Sequence, residues 1–250
     1  MTMTVTAEPR SPSIPHRTAM RLAATEYQRF LELLRALRPE DWGKPTECPG
    51  WDVRAMAAHA LGMVEMAASI REGRRQLKLA RQRGGVPIDA LTALQVDERA
   101  GMTPAQITDR FAARAAKAAR GRRRTPGVFR RRPMPVRQQV GDHEEAWTVG
   151  YLVDVILTRD PWMHRADIVR ATGANHVQTA DHDGVLVADI VAEWAARHGQ
   201  PFTLRLAGPA GGIWRSGAGG PYIELDAVEF CRLVSGRGTP TGLLTTLVPF

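Results

Sequence analysis

The sequence predicts a mainly α protein, a four-helix bundle followed by a small α+β domain. Apolar residues recur at spacings of three and four over long stretches up to residue 174, with Pro- and Gly-rich connections between them. After Gly173 the segments shorten, some alternate as strands do, and Gly-rich turns separate them. A chain of 250 residues, 44% of them hydrophobic, holds enough apolar material for one large core or two smaller ones.

In chain order, residues 1–15 contain three prolines, several Ser and Thr and no apolar run, so they read as a disordered lead-in rather than a secretory signal. The first helix is expected from about Arg17 to Leu37, with Leu22, Tyr27, Phe30, Leu33, Leu34 and Leu37 on its apolar face. The second opens at Asp52, a side chain suited to an N-cap. It carries Met56, His59, Met63, Met66 and Ile70 on one stripe and runs to about Arg83, before Gly84-Gly85. A third starts at Thr103-Pro104 and fades near Gly121. The fourth is expected from about Glu144 to Thr172, kinked or restarted at Pro161 and closed by Gly173. These elements assign 16–174 to the bundle and 175–250 to the α+β domain. In the latter, a helix over 183–198, strands at 202–206, around Trp214 and at 222–225, and a helix over 227–234 are expected.

The bulk properties exclude several classes. No stretch approaches the ~18 apolar residues of a membrane span. Two distant cysteines, Cys48 and Cys231, make no disulfide framework, which fits a reducing compartment and, by elimination, the cytoplasm. The net charge of +8 is concentrated in one window. Residues 110–140 contain no acid and a run of cations that includes Arg122, Arg123, Arg124, Arg130, Arg131 and Arg132. That window has no interleaved aromatic series and no DNA-binding motif, and it falls where a bundle needs a connection. A solvated loop or substrate-entrance rim is the expected reading, with nucleic acid as the competing one.

Three ionisable residues fall on apolar stripes: His59 on the second helix, Asp160 and His164 on the fourth. Asp160 and His164 are four residues apart and project from one helix face. A buried carboxylate is costly alone, and two imidazoles with one carboxylate form a ligand set typical of catalytic zinc, which keeps a fourth position open. Periodicity leaves two plainer readings open: a hydrogen-bonded core histidine, and a local Asp–His pair.

Beyond the spacing, the run LRPEDWGKPTECPGWDVRAMAAHALG resembles the N-terminal signature of the mycothiol-dependent maleylpyruvate isomerase family, within the DinB-like superfamily. LTRDPWMHRADIVRATG is similar to that family's second motif, and LVSGRGTPTGLLTTLVPF to its C-terminal domain. The resemblance implies a DinB-like bundle holding one divalent metal, usually zinc, on His59, Asp160 and His164. The family often carries Glu where Asp160 stands, so the shorter acid beside Pro161 is a departure. It also points to Asp167 as a support for the ligands and to Arg237 as the arginine that holds a substrate carboxylate or stabilises enolate charge. The implied activity is that of a thiol-using transferase or isomerase, with mycothiol as co-substrate and a small electrophile as substrate. The alternative is a non-catalytic metal-bound binding or sensor protein.

Overall fold

The computed structural model describes residues 8–250; Met1–Ala7, nearly half of the expected lead-in, lie outside the described residues. The rest of that lead-in is tied down at Arg10, whose N–H donates to Ala146 O at 2.8 Å and whose carbonyl accepts from Thr148 N at 2.9 Å. The chain divides into two compact units. Of the described residues, one comprises 16–125 and 160–176; the other comprises 8–15, 126–159 and 177–250. The chain passes between units after 15, 125, 159 and 176, so neither unit is one continuous stretch.

The first unit is the bundle. Helix α1 (His16–Ala36) buries Leu22, Tyr27, Phe30, Leu33 and Leu34, the face its spacing predicts. Helix α2 (Val53–Ala68) is capped by Asp52, which accepts from Ala55 N at 2.7 Å. It ends earlier than expected. Ser69 is extended (φ −150°, ψ 116°) and serves as the last residue's cap and as the N-cap of α3 (Ile70–Arg83), accepting from Glu72 N at 3.3 Å. Ile70 therefore leaves the buried stripe and is 78% exposed.

Helix α4 (Pro87–Arg99) was not expected, although Pro87 at its first position and Ala90, Leu91 and Leu94 at helical spacing mark it. Helix α5 (Pro104–Arg123) begins with the reciprocal Thr103–Gln106 capping box. Gly121 does not stop it. A Cβ there would lie 2.3 Å from Ala67 O, so the glycine lets α5 approach α2 closely. The core between these helices is built on Phe30, Phe111, Met56, Leu61 and Ile107, with Phe30 stacked on Phe111 at 5.3 Å. Truncating either Phe would cost about 3–5 kcal/mol.

The second unit begins with a short turn, α6 (Gly127–Arg130), and a hairpin of β1 (Gln138–Val140) and β2 (His143–Glu145). The hairpin takes the residues expected to start the fourth helix. That helix begins instead at α7 (Val149–Tyr151), capped by Thr148, and widens into a π-type turn over Leu152–Ile156. It then continues as α8 (Leu157–Thr172), which returns the chain to the bundle at Asp160. Pro161 removes one backbone donor just after the widened turn, so the irregularity expected at the proline lies upstream of it. Gly173 closes α8 with φ 72°, its N–H donating to Val169 O at 2.8 Å.

Helix α9 (Val185–His198), strands β3 (Phe202–Ala207), β4 (Gly212–Ser216) and β5 (Tyr222–Asp226), and helix α10 (Ala227–Val234) complete the unit. The sheet has order β4-β3-β5, with β4 antiparallel and β5 parallel to β3. Trp194 packs edge-on against Phe202 and Phe230 and centres its core. No helix of the described residues is long and apolar enough to cross a membrane.

Several cations of the basic window have internal work. Buried Arg122 donates to Tyr27 Oη at 3.1 Å, and Arg130 donates to the buried carboxylate of Asp154 at 2.7 Å. Arg110 pairs with buried Glu65, which Arg99 also holds. The window is thus the greater part of α5 followed by a structured connection, with Arg131 and Arg132 on its exposed surface.

Candidate metal centre

The bundle unit brings together the three residues expected as ligands. His59 comes from the middle of α2; Asp160 and His164 come from successive turns of α8. Both histidines are buried, His59 at 2% and His164 at 7% exposure, and their rings meet edge to face at 5.2 Å. Trp51, in the loop before α2, lies 5.2 Å from His59 and 6.0 Å from His164 and walls the cluster. Its position follows from the turn at Cys48–Trp51, where Trp51 N donates to Cys48 O and Thr46 N donates to Trp51 O.

Both histidines point Nε2 at one atom, Asp160 Oδ1, at 3.4 Å from His59 and 3.3 Å from His164. These separations exceed the 2.7–2.9 Å usual for a charge-assisted N–H···O bond. They match ligands that share a cation: two bonds of ~2.05 Å at a tetrahedral angle place donor atoms about 3.3 Å apart.

The opposite ring nitrogens are already engaged. His59 Nδ1 lies 2.8 Å from Gln95 Oε1 on α4, and His164 Nδ1 lies 3.3 Å from Asp167 Oδ2, which is fully buried. Each Nδ1–H donates to an oxygen, which leaves the Nε2 lone pairs facing a carboxylate. Such an arrangement needs either two extra protons or a cation. The second oxygen of the carboxylate, Asp160 Oδ2, is buried without a hydrogen-bond partner, a cost that a cation relieves. The donor set and the orphaned oxygen fit a divalent metal.

The electrostatics agree. Burial opposes charge on Asp160, yet the neighbouring His164 and His59 outweigh it and hold the carboxyl far below its ordinary value. Burial also opposes a proton on His164, and Asp160 chiefly, with Asp167 and Cys48, pushes its pKa well above 6.5. The carboxylate and imidazoles are thus arranged around positive charge, which a metal supplies without protons.

Asp167, to which the resemblance points as a support, lies against the Nδ1 side of His164. Cys48, with Sγ 4.0 Å from Asp167 Oδ2, forms a second possible group with His164 and Asp167. That group turns the Nδ1 side of His164 toward it, whereas the His59–Asp160–His164 group has both Nε2 atoms directed at one oxygen. Sequence reasoning missed Gln95, because its helix went unrecognised, and Trp51, whose Pro-Gly-Trp setting reads as a connection. Arg237 belongs to the other unit. It sits between Gly236 (φ 88°) and Gly238 (φ 71°), with Nη1 2.9 Å from Ser235 Oγ and its N–H on Arg232 O.

Comparison with known proteins places these features. Two solved structures resemble the chain: a mycothiol-dependent maleylpyruvate isomerase (TM-score 0.57) and a histidine-to-alanine mutant of such an enzyme (TM-score 0.55). Each is 16% identical, with 90% of both chains covered, and the likeness extends over the bundle and the α+β portion alike. Among curated proteins none matches. Residues 23–169, more than half of the 250, match the family described as mycothiol maleylpyruvate isomerase N-terminal domain, a span that contains His59, Asp160 and His164. The chain belongs to that mycothiol maleylpyruvate isomerase N-terminal domain family.

Proposed function

We propose that this chain is a metal-dependent isomerase that uses mycothiol to act on a small electrophilic alkene. The observation that carries this reading is the convergence of two imidazole Nε2 atoms on Asp160 Oδ1, with Asp160 Oδ2 left unsatisfied. His59, Asp160 and His164 would hold the cation, and zinc is the best match to two nitrogens and one carboxylate oxygen. When bound there, a divalent cation would lower the pKa of a thiol it coordinates, so that the thiolate would be available at neutral pH, where a free thiol of pKa ~8.5 is mostly protonated.

The chain's own residues do the rest. Gln95 and Asp167 fix the two rings, and Trp51 shields them from bulk water. A thiolate presented there adds to an alkene conjugated with a carbonyl; the former double bond turns as a single bond, and elimination returns the thiol and the isomerised product. No atom is gained or lost. Arg237 carries the substrate-carboxylate role in this reading, where a guanidinium offers two parallel donors to a carboxylate or to developing enolate charge.

The test is turnover of maleylpyruvate by purified, metal-loaded protein, with mycothiol present and omitted. The reading expects isomerisation that needs both thiol and metal, and a large loss on Arg237→Ala. A protein that holds stoichiometric metal yet turns over neither maleylpyruvate nor related cis-enones would instead be a metal-bound binding protein.

A further inference from the structure

We infer that Gln95 is the positioning residue for His59 and that a directional hydrogen-bond relay, Glu72–Gln76–Gln95–His59, sets which nitrogen of His59 faces the metal. The inference rests on the metal reading above and adds what selects the ligand atom.

Glu72 starts the relay. Its carboxylate is gripped by Arg75 at 2.6 and 2.9 Å, and Arg75 is held in turn by Glu98 at 2.6 and 2.7 Å. The Arg75 hydrogen bond outweighs burial and brings the Glu72 pKa down to about 2, so this group only accepts. Gln76, fully buried, must turn its amide nitrogen toward it: Nε2 donates to Glu72 Oε1 at 2.9 Å and to Gly62 O at 3.3 Å. That leaves Gln76 Oε1 as an acceptor, and Gln95 Nε2 donates to it at 2.9 Å. The same nitrogen lies 3.2 Å from the sulfurs of Met63 and Met66. Gln95 Oε1 has one remaining direction, toward His59 Nδ1 at 2.8 Å. An accepting oxygen there requires a proton on Nδ1, which frees the Nε2 lone pair.

Each amide is oriented by the one before it. A flipped Gln95 would set two oxygens against each other at Gln76 and offer an N–H to His59 Nδ1. The imidazole would then carry its proton on Nε2 and lose its ligand function. The backbone has made room for this contact. A Cβ on Gly62, three residues after His59, would lie 2.5 Å from Gln95 Cγ and 2.8 Å from its Cβ. The α3–α4 excursion thus delivers one buried amide to the second nitrogen of a ligand, a role that commonly changes metal affinity by about 10–100-fold when removed.

The experiment measures zinc affinity by competition with a chromophoric chelator, for the parent, Gln95→Leu and Gln95→Glu. Gln95→Leu is expected to bind zinc at least about 10-fold more weakly. Gln95→Glu keeps an acceptor at His59 and is expected to stay within a few-fold of the parent, although its thermal stability falls because Gln76 must turn away from Glu72. A merely structural role would lower affinity in step with stability in both variants, and that result overturns the inference, as does parent-like affinity in Gln95→Leu. Should Gln95→Leu fail to fold, long-range proton–nitrogen spectra of the zinc-loaded parent decide. A protonated His59 Nδ1 with metal on Nε2 supports the relay, and the reverse assignment overturns it. A parent that binds no zinc defeats the metal reading itself, a distinct outcome.

Discussion

Gly62→Ala sets two well-known effects against each other. Gly62 lies inside α2, and replacing an interior helical glycine by alanine gains ~1 kcal/mol from helix propensity alone. The added methyl would meet Gln95 Cγ at 2.5 Å and Cβ and Cδ at 2.8 Å, when ordinary contact begins near ~3.4 Å. Gln95 must retreat by roughly 1 Å, which lengthens a 2.8 Å bond to His59 beyond hydrogen-bonding range. Overpacking costs about 1–3 kcal/mol, and a buried group left unsatisfied about 1–3 kcal/mol more. The penalty wins by about 3 kcal/mol, or a fall in Tm of about 6–12 °C for a chain of this size. Gly73→Ala is the control: it also lies within a helix, and its nearest foreign atom is Met66 O at 3.5 Å, an ordinary contact. Thermal unfolding should show Gly73→Ala stabilised and Gly62→Ala destabilised, with zinc affinity reduced only in the latter. A Gly62→Ala protein that melts above the parent would refute the close approach on which this reasoning rests.

Other perturbations have equally definite signs. Glu26 and Arg165 form a buried pair within the bundle at 2.8 Å, next in sequence to His164; Glu26→Gln removes the carboxylate charge from this buried pair and should destabilise the protein in urea unfolding, by up to about 3–5 kcal/mol. Acid should destabilise the protein through Glu145 and Glu72. Burial opposes ionisation of Glu145, but Arg197 overrides it, and Arg75 acts on Glu72; both carboxyls fall from the ordinary 4.5 to about 2. Because the folded values are depressed, this stability is complete above about pH 4.5 and drains away toward about pH 2; a urea midpoint that is flat across that window would contradict it. Asp160→Asn, which replaces an anionic donor by an amide, should lose most zinc affinity in a chelator competition, whereas Asp160→Glu restores the acid more usual at this place.

The parts legible in the sequence are those where one local signal acts alone. Leu22 to Leu34 sit on a clean helical stripe, Asp52 and Thr103 are strong caps, and Asp226 caps a helix over Ala227–Val234, where the pattern placed it. His59, Asp160 and His164 each lie among apolar residues, but spacing alone does not show that their two helices meet; the family resemblance is what joined them into one set. The break at Ser69 was hidden because Ile70 continues the periodicity of α2 into a residue that faces solvent. The start of the fourth helix was obscured by a hairpin that turns at Gly141 (φ 61°) and pairs Glu144 and Glu145 across to β1. Gln95 was illegible for another reason: a polar residue on an apolar helix face does not declare its partner, and His59 lies 36 positions away.

Whether His59, Asp160 and His164 hold a metal is decided by metal analysis of freshly purified protein beside His59→Ala and His164→Ala. The parent is expected to hold about one divalent ion per chain, as a site with these three ligands requires, and each variant to lose stoichiometric metal with helix content largely kept. Full metal retained in both variants would show that the ion is held elsewhere and that His59, Asp160 and His164 are only a buried charge cluster.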